Sequence, residues 1–285
     1  MIFYDGLSDI GAEREKQEDA IYQQSYDKNT HLFIVCDGAG MVDDSINPAL
    51  IACTEVTNFI KRQYDYDRDM LVNYADAMLK EALYSANRVM GVFHIANEDK
   101  YNNFGCCMTA CLVYDNKLTF AHCGNTRLHL IKATKVGEPI IKQLTVDHTA
   151  SYEQFLTGKI NEEEYLTGID KLSYTSGLGI FANPEIQTMT VRFPEGNIAV
   201  LTTDGVHYAI WQQTLMEIVL RSDNTTNAVG NLIQAAKMQK YPDNMSAVVI
   251  YNISEEEIEA MKKAAEEVEE MRKAADNGIE NTGNG

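Results

Sequence analysis

The sequence predicts an α+β fold whose sheets are largely antiparallel. Strand-like runs come first, helical patterns follow and strand-like runs return, without the regular strand–helix alternation of a parallel sheet. Two dipeptides of hairpin-turn type, Asp115-Asn116 and Gly124-Asn125, separate apolar strand-like runs. The 285 residues, 45% of them hydrophobic, are enough to bury a large core.

The first third of the chain divides into strands and then helices. Residues 1–37 have strand character, and the β-rich run that closes them ends abruptly at Asp37-Gly38, a turn signal. Asn47 followed by Pro48 predicts the N-cap and first residue of a helix. Apolar residues spaced by three and four predict a further helix over 69–97.

The rest of the chain returns to strands. We predict a β meander over 106–144, followed by a polar and mixed insert or flap at about 147–176. Strands are predicted at 186–193, 197–203 and 245–253, and a helix at about 224–240. One domain therefore spans residues 1–253.

An acidic tail follows this domain. Ser254 and Glu257 form a capping box, and an apolar stripe that includes Ile258 and Met261 predicts an amphipathic helix over 254–276. We expect its stripe to pack on the body, a partner being the alternative. Residues 277–285 have the composition of a disordered segment.

The formal net charge of −18 limits the possible partners. Phosphates of nucleic acids and anionic membrane surfaces attract basic proteins, so neither is an expected partner, and a nuclease function is disfavoured. The sequence has no apolar run of 18 residues and no signal-peptide pattern at its start, so the expected location is cytoplasmic. An acidic enzyme that cleaves phosphate esters needs divalent cations to offset its own charge.

The six cysteines lie mostly in apolar, strand-like contexts. They include the adjacent pair Cys106-Cys107, but neighbours in a strand point to opposite faces, which argues against a bridge between them. We expect buried, reduced thiols. A zinc site or a catalytic cysteine is the alternative.

Three carboxylates stand where β-rich runs begin or end: Asp37, Asp204 and Asp243. Strand ends at one rim of a sheet bring distant segments together, and carboxylates are hard oxygen ligands suited to Mg²⁺ or Mn²⁺. An Asp-Gly pair is also a common turn, and the pattern alone does not decide between the two interpretations.

Seven motifs, in order, resemble the PP2C (PPM-type) phosphatase family over roughly residues 3–253. They are GLSDIGAEREKQEDAIY, FIVCDGAG, FGCCMTACLVYDNKLTFAHCGNTRLHLI, LTVDHTA, LGI, LTTDGV and YPDNMSAVVI. The resemblance implies a four-layer α-β-β-α sandwich, with two largely antiparallel sheets flanked by helices. It also implies a bacterial-like serine/threonine phosphatase that uses a water activated at a binuclear Mn²⁺ or Mg²⁺ centre.

The resemblance also implies roles for individual residues. Asp37 would bridge both metals, and Asp204 and Asp243 would complete one site. Glu18 and the backbone carbonyl of Gly38 would serve the other site. In supporting roles, Asp19 would act through water, Arg14 would hold the substrate phosphate, and Asn244 would lie beside the ligands. From the residues alone, Arg14 could equally form a surface ion pair with Glu13 or Glu18.

The chain departs from the family pattern at two points. Asn125 stands where the family has an aspartate that helps to bind a third metal, so we expect that site to be weakened or absent, unless a carboxylate such as Asp147 substitutes. Ala39 stands where many eukaryotic members have a histidine proposed as general acid, so protonation of the leaving group must come from elsewhere.

His148 begins the flap and could either position substrate and anchor the flap or make only a structural hydrogen bond, whereas His122 and His129 are expected to be structural. Two functions remain open. One is an active phosphatase that acts on phosphoproteins as a monomer, with a eukaryotic-like Ser/Thr kinase as the expected opposing enzyme. The other is a pseudophosphatase that binds without catalysis. Asn125 suggests it, and so does the glycine turn, where the family's usual Asp-Gly-x-Gly-Gly reads Asp37-Gly38-Ala39-Gly40-Met41.

Overall fold

The computed structural model describes residues 1–40, 46–96, 104–132, 139–161, 164–165, 168 and 173–254. The strands in this part of the chain are β1 (Ile2–Asp9), β2 (Ala20–Asp27), β3 (Thr30–Ala39), β4 (Gly105–Tyr114), β5 (Lys117–Cys123), β6 (Arg127–Lys132), β7 (Ile140–Gln143), β8 (Gln187–Arg192), β9 (Asn197–Thr202) and β10 (Met245–Asn252). The helices are α1 (Pro48–Tyr66), α2 (Arg68–Asn73), α3 (Ala75–Ala96), α4 (Ala150–Leu156), α5 (Asp204–His207), α6 (Gln212–Leu220) and α7 (Thr225–Met238).

The strands form two five-stranded sheets in which every pair is antiparallel. The first sheet has the order β1-β10-β9-β6-β7, and the second has the order β2-β3-β4-β5-β8. Strands that are far apart in the sequence are therefore neighbours in the sheets. Because β1 pairs with β10, the beginning and the end of the described domain lie side by side.

Three apolar layers hold four structural layers together. Helices α1 to α3 pack on the outer face of the second sheet, for example through Leu79 and Leu83. The two sheets face each other across Phe33, Phe120 and their neighbours. Helices α5 to α7 pack on the outer face of the first sheet. Because burial of such side chains is the main favourable contribution to folding, these layers fix the architecture. The predicted four-layer α-β-β-α sandwich is confirmed.

The predicted meander over 106–144 is wrong in its second half. Asp115 and Asn116 close the β4–β5 hairpin with φ values of 45° and 60°. Strand β6, however, pairs with β9 and β7 in the first sheet and not with β5. Gly124 makes this crossing possible, because it has a φ of 102° and a Cβ added there would lie 2.2 Å from the sulfur of Cys107. Gly124-Asn125 thus carries the chain between sheets and closes no hairpin.

The helix predictions hold with smaller corrections. Asn47 caps α1 by accepting hydrogen bonds from the backbone N–H groups of Ala49 and Leu50, as expected from Asn47-Pro48. The helix predicted over 69–97 is broken at Tyr74 into α2 and α3. Helix α6 was not predicted, and the segment between β1 and β2, predicted as strand, is a loop. The predicted tail helix lies outside the described residues.

No helix in the described part of the chain is long and apolar enough to cross a membrane. All six cysteines are buried and free of disulfides, as predicted.

Candidate active site

The predicted site residues converge at one end of the sandwich. Ala20, next to Asp19, pairs with Cys36, next to Asp37, in the second sheet. In the first sheet Thr202, shortly before Asp204, pairs with Ala247, shortly after Asp243. These strand ends face each other across the gap between the sheets, and the proximity of the carboxylates follows from these two registers.

Asp37 and Asp204 form the centre of this cluster. Their carboxyl groups lie close enough together that Asp204 disfavours ionisation of Asp37. Burial raises the pKa of Asp37 well above its usual range, and the negative charges of Asp204, Asp19 and Asp243 raise it further. Asp204 itself is buried at the start of α5. Carboxylates crowded in this way repel one another unless protons or cations neutralise them.

Asp19 lies in a second layer behind these groups. Its Oδ2 accepts hydrogen bonds from the hydroxyl groups of Thr203, at 2.8 Å, and Ser246, at 2.7 Å. Burial raises the pKa of Asp19 to about 7 and the charges of Asp204 and Asp243 add to this effect, although the two hydroxyl donors oppose it. Asp19 thus joins the loop before β2 to the ends of β9 and β10.

Asn244 holds the loop that carries Glu18. Its Oδ1 accepts a hydrogen bond from the backbone N–H of Glu18 at 2.8 Å. Its Nδ2 donates to the carbonyl oxygens of Ile10, at 2.8 Å, and Lys16, at 3.0 Å. Asn47 adds a bond from its Nδ2 to the carbonyl oxygen of Gln17. A loop of this length stays ordered because buried amides satisfy its backbone groups.

Gly38 packs directly against this loop. A Cβ built on Gly38 would lie 2.6 Å from the carbonyl oxygen of Glu18. Only a residue without a side chain allows the two backbones to approach so closely. The chain therefore brings Glu18 next to Asp37-Gly38, as the resemblance implied.

Arg14 reaches the cluster from the same loop. One guanidinium nitrogen, Nη2, lies 2.8 Å from Oδ1 of Asp243, and Nε donates to the carbonyl oxygen of Pro242 at 3.0 Å. Although partial burial lowers it, the pKa of Arg14 is raised overall by Asp243, Glu18 and Asp37. The side chain is 44% exposed, so the guanidinium is open to solvent beside the carboxylates. The structure shows an ion pair of Arg14 with Asp243, a partner that the local sequence did not suggest.

Asn125 is fully buried beside Asp204. Its Nδ2 donates to Oδ2 of Asp204 at 3.1 Å, and its Oδ1 has no hydrogen-bond partner among the described residues. An unpaired buried oxygen is costly unless it has a ligand. The amide thus offers one hard oxygen donor to the cluster.

The donor chemistry of the cluster fits divalent cations. All its groups are carboxylate, carbonyl or amide oxygens, the ligands that Mg²⁺ and Mn²⁺ prefer. Within the described residues, no three His, Cys, Asp or Glu side chains already form a metal-ligand set. The Arg14–Asp243 and Asn125–Asp204 contacts occupy carboxylate oxygens that such a set would need. The fit therefore rests on three observations: the donor atoms are oxygens, the side chains that carry them converge, and their negative charges are crowded around Asp37.

The charge crowding predicts an unusual pH dependence of stability. An acid whose pKa is higher in the folded state binds more protons there than in the unfolded chain, so the free energy of unfolding falls as pH rises between the two pKa values. For Asp19 this window runs from about 4, the unfolded value, to about 7. In chelator we expect the melting temperature to drop across it by at least about 3 °C, the effect of about 1 kcal/mol in a chain of this size. Calorimetry from pH 4.5 to 7.5 checks this, and a melting temperature that rises over that range contradicts it.

His148 joins the flap to the chain crossing at Gly124. Its Nδ1 accepts a hydrogen bond from the N–H of Gly124 at 3.2 Å, and its backbone N–H donates to the Gly124 carbonyl at 2.7 Å. The ring of His122 packs on that of His148, and its Nδ1 forms a hydrogen bond with the hydroxyl group of Thr109. Burial lowers the pKa of His122 to about 3, so this ring is neutral at pH 7. The geometry is that of an anchor between the flap and the Asn125 turn.

Asp147 is engaged by hydrogen-bond donors on β6, β7 and the flap. Both of its oxygens accept from the guanidinium of Arg127, at 2.7 to 3.1 Å, and Gln143 and Tyr165 donate to it as well. With its acceptor positions taken by these donors, it cannot serve as the replacement carboxylate at Asn125 that its sequence position suggested. The buried Arg127–Asp147 pair, with its hydrogen bonds satisfied, ties the flap to β6.

Comparison with known proteins agrees with this geometry. The family model described as "Protein phosphatase 2C" matches residues 6–154, just over half of the chain. The chain belongs to the protein phosphatase 2C family. It is therefore a PPM-type protein phosphatase, as its ordered motifs predicted.

Bacterial relatives in this phosphatase family span most of the chain. "Protein phosphatase PhpP" of Streptococcus pneumoniae is 22% identical over 254 residues, which cover 89% of this chain and 98% of PhpP. "Serine/threonine phosphatase stp" of Listeria monocytogenes is 23% identical over 61% of this chain and 67% of its own.

Solved structures share the fold. A structure described as a "bacterial serine phosphatase" superposes with a TM-score of 0.77 at 20% identity, covering 90% of this chain and 99% of that one. The catalytic domain of the phosphatase PstP "in complex with 2 Manganese ions" has a TM-score of 0.72 at 22% identity, with 89% and 99% covered.

Several residues of this phosphatase site had no signal in the sequence. Thr203 and Ser246 hold Asp19, and Asn47 holds the Glu18 loop while also capping α1. Serine, threonine and asparagine are common in turns and caps, so nothing local distinguishes these three. Thr203 and Ser246 stood inside recognised motifs, LTTDGV and YPDNMSAVVI, but neither had a role of its own there.

Proposed function

We propose that this phosphatase hydrolyses phosphoserine and phosphothreonine in proteins at a binuclear divalent-metal centre. The observation that supports the proposal most strongly is the convergence of Asp37, Asp204, Asp243 and Asp19, with the pKa of Asp37 and of Asp19 raised by burial and mutual repulsion. Carboxylates in this arrangement are destabilising alone and favourable with bound cations.

The residues that would hold the cations are Asp37 between the two, Asp204 and Asp243 on one side, and Glu18 with the Gly38 carbonyl on the other. Two divalent ions so held supply charge neutralisation and lower the pKa of a bound water. The protein's own part is positional: Asn244 and Asn47 fix the Glu18 loop, and Asp19 is held by Thr203 and Ser246.

Arg14 would bind the phosphate. Its guanidinium group is exposed to solvent beside the cluster and forms its ion pair with Asp243 through one nitrogen, Nη2. A planar guanidinium grips two phosphate oxygens at once, which an ammonium group cannot reproduce. In this proposal the bonds of Arg14 to Asp243 and to the Pro242 carbonyl preorient the guanidinium before substrate arrives.

The substitution Arg14→Lys tests that role. We expect kcat/KM for a phosphothreonine peptide to fall about 10–100-fold, since charge-assisted hydrogen bonds contribute about 1.5–3 kcal/mol. Steady-state kinetics with Lys16→Ala as matched control separates geometry from net charge, because Lys16→Ala removes a charge from the same loop. If Lys16→Ala costs as much as Arg14→Lys, the bidentate role is refuted.

The activity itself is tested by hydrolysis of an aryl phosphate and a phosphothreonine peptide with and without millimolar Mn²⁺ or Mg²⁺. The proposal predicts turnover that requires the added cation and is abolished by chelator. Turnover that is absent at millimolar Mn²⁺ would favour the pseudophosphatase alternative.

Asn125 bears on a third metal. Its amide brings an oxygen donor but no negative charge, and its Nδ2 is bonded to Asp204. We expect Mn²⁺ titration to give two sites for the wild-type chain and a third, weaker one for Asn125→Asp. A Mn²⁺-soaked crystal of the wild type with three well-occupied ions, one of them on Asn125, would refute this expectation.

The names of the relatives support the substrate class. The Listeria relative is named a serine/threonine phosphatase, and the PstP domain was solved with two manganese ions. An opposing eukaryotic-like kinase, a monomeric state and a cytoplasmic location stay predictions.

A further inference from the structure

A cavity of about 330 Å³ lies between the flap and α6 and is lined in part by His207 of α5, the helix that begins at Asp204. We call it the aromatic cavity, because Tyr152, Phe155, Tyr165, Tyr208 and Trp211 line it. Two of these come from α4, Tyr165 from the flap beyond it, and Tyr208 and Trp211 from the segment that joins α5 to α6. None of the roles assigned above uses this space.

A row of rings connects the aromatic cavity to the cluster. Tyr241 lies by the carboxylates: burial raises its pKa, and the charges of Asp204, Asp243 and Asp37 add to the shift. Its ring centroid is 6.2 Å from that of Tyr208, which is 6.4 Å from that of Tyr165. Extended chain covers about 3.3 Å per residue, so about four residues reach from one end of this row to the other. A peptide with its phosphate at the cluster can therefore place a nearby side chain in the cavity.

The size and lining of the cavity suit one large apolar side chain. A volume of about 330 Å³ lies at the small end of ligand pockets, which start at about 300 Å³. Trp211 is 56% exposed, and Tyr152 and Phe155 are half-buried, so the aromatic surface is open. Burying an apolar side chain against such rings is favourable beyond the area covered.

The lining of the aromatic cavity favours a neutral occupant over a cationic one. Arg127 and Lys142 line it, and among the described residues that line it none is acidic. The guanidinium of Arg127 already stacks on the rings of Tyr165 and Tyr208, 5.8 and 5.4 Å from their centroids. Asp147 neutralises Arg127, so an incoming lysine or arginine would meet the ammonium group of Lys142, and it would find two of the rings already covered by Arg127. A neutral apolar side chain meets no such repulsion.

We propose that the aromatic cavity is a specificity pocket that binds a large apolar side chain of the phosphoprotein substrate, within about four residues of the phosphorylated residue. This inference rests on the proposed function, since the phosphate at the cluster fixes the distance. The flap contributes Tyr152, Phe155 and Tyr165, so its role is to complete this pocket.

Trp211 makes the test direct, because it is the single tryptophan of the chain. The probes are alanine-based phosphothreonine peptides without Trp or Tyr, in which one Phe is placed in turn at each of the four positions on either side. For binding, the phosphate is replaced by a non-hydrolysable phosphonate. Calorimetry gives the affinity, Trp211 emission reports occupancy, and aryl phosphate hydrolysis by the same preparations monitors the cluster alone.

We expect at least one Phe position to tighten binding by at least about tenfold over the all-alanine peptide, the low end for an apolar group in a pocket. The same peptide should change the Trp211 emission, and a Lys at that position should not. Trp211→Ala should remove the tenfold preference, with aryl phosphate hydrolysis measured alongside as the readout of the cluster. Tyr66→Ala, which truncates an 81% exposed ring on α1, should leave both unchanged.

Equal affinities for all peptides, or a preference that survives Trp211→Ala, overturn the inference while aryl phosphate turnover leaves the proposed function intact. A Lys peptide that binds best overturns it as well. A third outcome separates the two proposals. If the protein does not hydrolyse the aryl phosphate but still prefers the Phe peptide in a way that depends on Trp211, the proposed activity is overturned and the pocket is supported.

Discussion

Asp37→Asn should abolish phosphatase activity and at the same time raise the stability of the chain in chelator. The carboxylate lies against Asp204, and burial and three neighbouring charges raise its pKa. A neutral amide removes this repulsion but also removes the charge that would bridge two cations. We expect kcat to fall by at least about 10³-fold, the scale of lost electrostatic stabilisation in an active site. The melting temperature in chelator should rise.

The opposite directions of these two effects make the prediction specific. Asp223→Asn is the matched control, because Asp223 is an exposed carboxylate in the segment before α7. It should change neither activity nor stability. An Asp37→Asn variant that keeps wild-type activity in Mn²⁺, or that melts below the wild type in chelator, contradicts the assignment.

Arg127→Met should destabilise the domain by about 3–5 kcal/mol, because it leaves the Asp147 carboxylate buried without its partner. Arg127 and Asp147 have side chains that are 8% and 0% exposed, and the pair also receives the hydroxyl of Tyr165. Chemical unfolding measures the loss. The exposed pair Lys61–Asp65 is a control, since Lys61→Met should cost less than about 0.5 kcal/mol.

The double variant Arg127→Met, Asp147→Leu separates charge burial from packing. With both charges gone, no uncompensated carboxylate remains, and we expect most of the lost stability to return. A double variant as unstable as Arg127→Met alone would show that the pair matters through shape and not through charge.

The sequence contained much of the fold, because its patterns are local. Alternating apolar runs, the Asn47-Pro48 cap and helical spacing predicted most strands and helices within a few residues. Sheet membership was different. Gly124-Asn125 has the composition of a hairpin turn, yet β6 joins the other sheet because its pairing partner β9 arrives much later in the chain. No local signal carries that pairing.

The candidate site divides in the same way. The order of the motifs identified Glu18, Asp37, Asp204 and Asp243, and the register of two sheets brought their segments together. The sequence around Arg14 and Asp147 does not reveal their partners. Arg14 pairs with Asp243, near the other end of the domain, and Asp147 pairs with Arg127 on β6. The aromatic cavity assembles rings from 152 to 211 and was invisible for the same reason.

The proposed binuclear centre, with Asp37 between two cations, can be seen directly in crystals grown with Mn²⁺ and measured at the manganese absorption edge. We expect two anomalous peaks on either side of the Asp37 carboxylate, one beside Asp204 and Asp243 and one beside Glu18 and the Gly38 carbonyl. A single peak, or peaks away from Asp37 at millimolar Mn²⁺, would contradict it.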